Sequence, residues 1–164
     1  MNLKTDSVIT GSVKERIDRW VARYPDDQKQ SAVMASLRIV QETQGGHLTP
    51  DLMDQIADYL EMPPAAVYEV ATFYSNYEHQ PVGKHKVCVC NSISCMLRGS
   101  EEIIEHLENR FDIKPGEVSK DGRFSIKKVE CLGACGGAPM MQVGKTYYEN
   151  LTESSVDEIL DGLE

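Results

Sequence analysis

Two short-spaced cysteine pairs constrain this chain more than any other feature of it. Cys90-Asn-Ser-Ile-Ser-Cys95 follows a short apolar run, and Cys131-Leu-Gly-Ala-Cys135 opens a segment that continues Gly-Gly-Ala-Pro139. Each pair follows a predicted strand and leads into a loop. Four thiols delivered in this way can hold a metal centre, provided that the fold brings the two loops together. A disulfide framework is the weaker reading, because five cysteines leave one unpaired and a reducing compartment keeps thiols free.

The compartment is inferred from the rest of the chain. The start, Met-Asn-Leu-Lys-Thr-Asp-Ser, has neither the apolar core of a signal peptide nor the arginines of a transit sequence. No uncharged apolar run approaches the roughly 20 residues that span a bilayer, so a cytosolic chain with no direct membrane insertion is expected. The length of 164 residues suits one ordinary domain or two small ones, and 41% hydrophobic with 26% charged residues is a globular composition. A net charge of −9 disfavours phosphate backbones and anionic lipid surfaces.

Hydrophobic period divides the chain in two. Ser12 and Glu15 read as a capping box, followed by Val13, Ile17, Trp20, Val21 and Tyr24 at helical spacing. A second helix is predicted from about Gln28 to Gln44, with Val33, Leu37 and Val40 on one face and Gly45-Gly46 as its stop. Thr49-Pro50 caps a third, carrying Leu52, Met53, Ile56, Ala57 and Leu60. Pro63-Pro64 breaks the chain before a fourth, with Val67, Val70, Ala71 and Tyr74. After Pro81 to Lys84 the period changes. His85 to Cys90 and Phe124 to Val129 read as strands, and Ser100 to Phe111 as the helix between them. Met140 to Val143 and Thr146 to Tyr148 flank a Gly144-Lys145 turn, and a last helix starts at Thr152 or Ser154. A right-handed crossover would make the first two strands parallel. The expected fold class is therefore α+β, with an N-terminal four-helix segment at 1–80 followed by a thioredoxin-like α/β domain at 81–164.

Spacing leaves two metal readings open. Structural zinc takes four thiolates in a closed tetrahedron. A [2Fe-2S] cluster also takes four, and loops with four and three intervening residues favour this wider centre modestly. Gly133, Gly136 and Gly137 could bring backbone N–H groups close to the sulfurs, although a plain turn explains them equally well. Cys88 points to the same side of its strand as Cys90 but reads better as a buried, inert thiol. His47, His79, His85 and His106 fit no Cys-x-His arrangement and read as surface or packing residues. No nucleotide-binding glycine pattern occurs. Asn150-Leu-Thr152 matches a glycosylation sequon, but Thr152 reads better as a helix cap. Asp54 to Tyr74 scans like a helix-turn-helix, yet Ile39 to Gly83 holds seven acids and not one Lys or Arg. That excludes a DNA reader and leaves a protein-binding face, with Phe73, Tyr74 and Tyr77 as candidate anchors.

Asp121-Gly-Arg-Phe124-Ser125, followed five residues on by Cys131-Leu-Gly-Ala-Cys135-Gly-Gly-Ala-Pro139, resembles the signature of a known family. This is the thioredoxin-like [2Fe-2S] ferredoxin subunit of bacterial NADH-quinone oxidoreductase, respiratory complex I. Val70-Ala-Thr-Phe-Tyr74 and Gln80-Pro-Val-Gly83 are similar to its other familiar stretches. The resemblance covers nearly the whole chain and implies four metal ligands, with Cys90 and Cys95 on one iron and Cys131 and Cys135 on the other. Cys88 matches no family ligand, and His47 stands where an aromatic commonly follows the glycine.

The resemblance further implies that FMN and NADH bind on a partner, the FMN-containing NADH-binding subunit. This chain would accept one electron from the reduced flavin and would sit in the cytoplasm, peripheral to the inner membrane through the complex. The run from Ile39 to Gly83, free of basic residues, would face a basic partner surface, with Asp58 and Glu61 among its charges. Related assemblies, NAD-linked hydrogenases and formate dehydrogenases, use similar subunits. A four-cysteine zinc interaction module and a dithiol enzyme remain as further readings, the latter weakened because three residues rather than two separate Cys131 from Cys135.

Overall fold

The computed structural model describes residues 7–163; the leaderless start expected at residues 1–6 lies outside them. The chain separates into two compact units, Met1–Pro81 and Val82–Glu164.

The first unit is helical. Helix α1 spans Gly11–Val21 and buries Val13 and Ile17. Its N-cap is Thr10, so Ser12 already lies inside the first turn and the predicted box with Glu15 does not form. A 3-10 stretch, Asp26–Ala32, with a kink at Gln28, precedes helix α2, Val33–Thr43. The single helix expected from Gln28 is thus two pieces. Of Asp-Asp-Gln-Lys-Gln-Ser-Ala only Ala32 is buried, so no apolar stripe holds that run on the α-helical path. Helix α3 spans Pro50–Leu60, and Thr49 Oγ1 accepts from the Leu52 N–H at 3.3 Å. All five apolar residues expected on its stripe are buried. Helix α4, Pro64–Phe73, buries Val67 and Ala71.

Ile17, Leu37, Leu48, Ile56 and Leu60 are fully enclosed in this core, each worth roughly 1.5–3 kcal/mol of burial. Tyr77 belongs to it too. It is 4% exposed and donates its hydroxyl to the Met34 carbonyl at 2.8 Å, so it is not a surface anchor. Phe73, 80% exposed, and Tyr74 do face outward.

The second unit is a four-stranded sheet with helices. Strand β1 is His85–Cys90, followed by a one-turn helix α5, Ile93–Met96, and by α6, Ser100–Phe111. Strand β2 is Phe124–Val129, β3 is Met141–Val143, β4 is Thr146–Tyr148 and helix α7 is Glu153–Asp161. The sheet order is β2-β1-β3-β4. β1 and β2 run parallel with His85 opposite Phe124 and Cys90 opposite Val129, while β3 pairs antiparallel with both β1 and β4. Helix α6 packs on β1 and β2 and against α7. Val87, Val89, Ile104, Leu107, Ile126 and Val156 form the core between helices and sheet. Thr152 caps α7 in a reciprocal pair with Ser155, which agrees with its reading as a cap rather than a sequon.

Gly83 admits no side chain. A Cβ there would lie 2.5 Å from the Phe124 carbonyl carbon, and its N–H donates to the buried Ser125 Oγ at 3.1 Å. Gly83→Ala should therefore destabilise this unit by about 1–3 kcal/mol, read as a lowered denaturant midpoint. Where α6 meets α7, His106 Nε2 lies 2.8 Å from Asp157 Oδ1, and Arg110 pairs with the same carboxylate and with Asp161. His106 is thus a hydrogen-bond partner of Asp157. Its hydrogen bond first, and Arg110 with it, hold the Asp157 carboxyl below its usual range against the opposing effect of burial. A depressed carboxyl stabilises the fold above about pH 4, where an unfolded aspartate is ionised, and loses that contribution as pH falls. Asp157 is partly exposed, so Asp157→Asn should cost only about 0.5–1 kcal/mol at neutral pH. The difference from the parent should shrink in urea titrations as the pH is taken down through and below the usual carboxylate range; a loss that stays equal to that at neutral pH would mean that the contact is not electrostatic.

Candidate metal centre

The parallel pairing of β1 and β2 sets the place of both cysteine pairs. Cys90 is the last residue of β1 and lies opposite Val129, the last residue of β2. The chain therefore leaves both strands at the same end of the sheet. Asn91 N–H donates to the Val129 carbonyl at 3.1 Å, and Cys90 N–H to the Met140 carbonyl at 3.2 Å. These bonds tie the first loop to both sides of the second. Helix α5 then turns Cys95 back inward.

Cys90 and Cys95 are buried with Ala138 and Met140, and Leu132 and Ala134 of the second loop pack over them. Cys131 and Cys135 are exposed, with their sulfurs 3.4 Å apart. The structure thus brings all four predicted thiols to one end of the sheet as an inner pair and an outer pair. Cys88 stands mid-strand, opposite Lys127 on β2 and Gln142 on β3, and it is only half-buried, which corrects the expectation of a buried thiol. Among the described residues, no three His, Cys, Asp or Glu side chains gather as a single ion would require.

Donors from each loop reach the sulfurs of the other. Burial pushes the Cys90 thiol up, yet the Ser92 and Leu132 N–H groups, with Cys95 and the Ser92 hydroxyl, bring it below a thiol's usual range. Burial and then Cys90 raise Cys95, whose charge also meets that of Cys135, while the Met140 N–H acts in the opposite sense. Cys135 is raised first by its hydrogen bond with Cys131, and the Ser94 hydroxyl of the first loop opposes that. The Gly133 N–H lies 3.4 Å from Cys131 Sγ. Thiolates that would repel one another when crowded are thus surrounded by N–H and O–H groups that favour their charged form.

These residues fit a binuclear iron–sulfur centre: two thiol pairs at one end of the sheet, with donors at the sulfurs. The three glycines differ in role. Gly133 sits at φ +84°, which a side chain would strain. Gly137 is closed by Glu149, whose Cβ would lie 2.7 Å from any added Cβ, and Gly136 faces open space. Gly133, whose N–H reaches Cys131 Sγ, acts as the motif suggested. Sequence reasoning missed Ser92, Ser94, Leu132 and Met140 around the sulfurs. The two serines between Cys90 and Cys95 are a readable sign of hydroxyl donors; backbone donors leave no trace in residue type.

Comparison with known proteins bears on the same site. The family model for thioredoxin-like [2Fe-2S] ferredoxin matches residues 17–164. An E-type subunit of the NADH-quinone oxidoreductase of Rhizobium meliloti is 41% identical over 150 residues, covering 92% of this chain and 88% of that protein. The corresponding E-type subunit of Rickettsia typhi is 37% identical over 164 residues, covering 98% of this chain and 96% of the relative. Among solved structures, a chain of an NAD+-reducing [NiFe]-hydrogenase superposes with a TM-score of 0.67 at 18% identity. It covers 79% of this chain but only 22% of that one, so it speaks for the fold alone. Motif, topology and relatives agree, and the chain belongs to the thioredoxin-like [2Fe-2S] ferredoxin family.

Proposed function

We propose that the chain is the iron–sulfur electron-transfer subunit of an NADH:quinone oxidoreductase. It takes one electron from the reduced FMN of a partner flavoprotein onto a [2Fe-2S] cluster held by Cys90, Cys95, Cys131 and Cys135. The observation that carries this reading is the convergence of two thiol pairs, each supplied with a donor from the opposite loop, in a chain 41% identical to a subunit of such an oxidoreductase. When bound, such a cluster supplies a one-electron site whose formal charge, thiolates included, goes from about −2 to about −3 on reduction. The residues of this chain do the rest. The buried pair and Met140 keep water from one side, while the N–H groups of Leu132 and Gly133 offset negative charge at the sulfurs. The chain is part of an oxidoreductase, and in this reading the FMN and NADH sites lie on the partner flavoprotein.

In this reading residues 81–164 carry the cluster, and residues 1–80, as a four-helix bundle, dock on the FMN-containing NADH-binding subunit. The acid-only run from Ile39 to Gly83 supports a basic surface opposite, and the outward Phe73 and Tyr74 supply apolar contact. No described helix is long and apolar enough to cross a membrane, which accords with a cytoplasmic place at the membrane periphery through partner subunits. The same electron-transfer role in an NAD-linked hydrogenase or formate dehydrogenase is the second reading; a hydrogenase chain shares the fold.

Three tests separate these ideas from their rivals. The purified chain should be red-brown, with a reducible rhombic EPR signal at low temperature; a colourless zinc protein would overturn the cluster. Cys95→Ser or Cys131→Ser should abolish or severely reduce bound iron, whereas Cys88→Ser should leave iron content and spectrum intact. For docking, Glu61 already pairs with Lys29 at 2.8 Å, so its reversal would also disturb α3. Asp58 is exposed on the same helix and gives the cleaner test. Asp58→Lys should weaken copurification with the flavoprotein several-fold at low salt, and unchanged recovery would count against this face.

A further inference from the structure

The second cysteine loop is held by a residue that lies outside both cysteine pairs. Tyr147, on β4, donates its hydroxyl to the Leu132 carbonyl at 3.0 Å. That carbonyl belongs to the peptide unit joining Leu132 to Gly133. The N–H of the same unit is the Gly133 N–H that lies 3.4 Å from Cys131 Sγ. A trans peptide is planar, with its C=O and N–H pointing in opposite directions. Fixing the carbonyl on one side therefore fixes where the N–H points on the other.

On its Gly133 side this unit carries no side chain to hold it. Gly133 adopts φ +84° with nothing within 4 Å of where its Cβ would be, so its backbone is free of side-chain packing. Leu132 is only partly buried. Tyr147 is itself 45% exposed, which is a poor position for a large aromatic if packing were its purpose. Its neighbours on the hairpin are fixed by the ladder to β3, so the phenol reaches the loop from a rigid base. A hydrogen bond accepted at the carbonyl also polarises the peptide and strengthens the N–H as a donor.

From this geometry we infer that Tyr147 is a positioning residue for the metal centre. It holds the Leu132–Gly133 peptide so that the Gly133 N–H faces the Cys131 sulfur and stabilises the reduced, more negative state. The inference rests on the cluster reading above. Its sign follows directly. One electron added to the centre raises the negative charge on the sulfurs, a donor aimed at a sulfur favours that state, and so the donor raises the reduction potential. Loss of the Tyr147 hydroxyl lowers it.

The test uses the full chain with its centre in place. Iron content, absorption and the EPR signal are measured first, since they report whether the cluster is there at all; a parent protein without it would overturn the cluster reading rather than this inference. An EPR-monitored redox titration at neutral pH then gives the midpoint potential. Tyr147→Phe, with iron content unchanged, should shift the midpoint to more negative values. An unchanged midpoint would overturn the inference. Should Tyr147→Phe lose the cluster, 3-fluorotyrosine placed at position 147 decides the matter, because it keeps the shape and makes the hydroxyl a stronger donor. The expected shift is then positive, and a midpoint equal to the parent's would sink the proposal.

Discussion

The parallel pairing of β1 with β2 is the constraint on which the metal centre depends. Cysteines far apart in sequence meet because both strands end at the same edge in matched register, Cys90 against Val129. A slip of one residue would turn every side chain of one strand to the opposite face. It would place Cys90 among the residues under α6 and bury the thiol away from Cys131. The hydrophobic core therefore does more than stabilise this unit. By requiring Val87, Val89 and Ile126 to face α6 and α7, it fixes the register, and the register fixes the site.

Around that site, burial and hydrogen bonding act in opposite directions. Enclosing Cys90 and Cys95 raises the cost of a negative sulfur, while N–H groups of Ser92, Leu132 and Met140 lower it. Neither would serve alone. An apolar pocket without donors would resist thiolates, and a solvated loop with donors would let water compete with each of them. The interlacing of the two loops solves both at once, because the residues that cover one pair also supply donors to it.

Much of this architecture is legible in the residues. Thr49-Pro50 announces α3, the Val-rich run before Cys90 announces β1, and alternation in Phe-Ser-Ile-Lys-Lys-Val announces β2, since each depends on local chemistry that residue type records. The failures share a cause. The 3-10 stretch at Asp26–Ala32 differs from an α-helix by what it lacks, a buried stripe. Tyr77 reads as a surface aromatic, yet the Met34 carbonyl receives its hydroxyl. Gly137 reads as part of a donor loop, yet Glu149 stands against it. Each is decided by a distant neighbour, and a one-dimensional pattern does not name neighbours.

The unequal exposure of the two pairs gives the site an inside and an outside. Cys90 and Cys95 are 2% and 1% exposed, whereas Cys131 and Cys135 meet solvent. A reagent arriving from solution, whether alkylating agent, oxidant or chelator, meets the outer sulfurs first, because reactivity at thiols follows access. Damage to this centre consequently has a direction: it starts at the loop after β2 and reaches the end of β1 last.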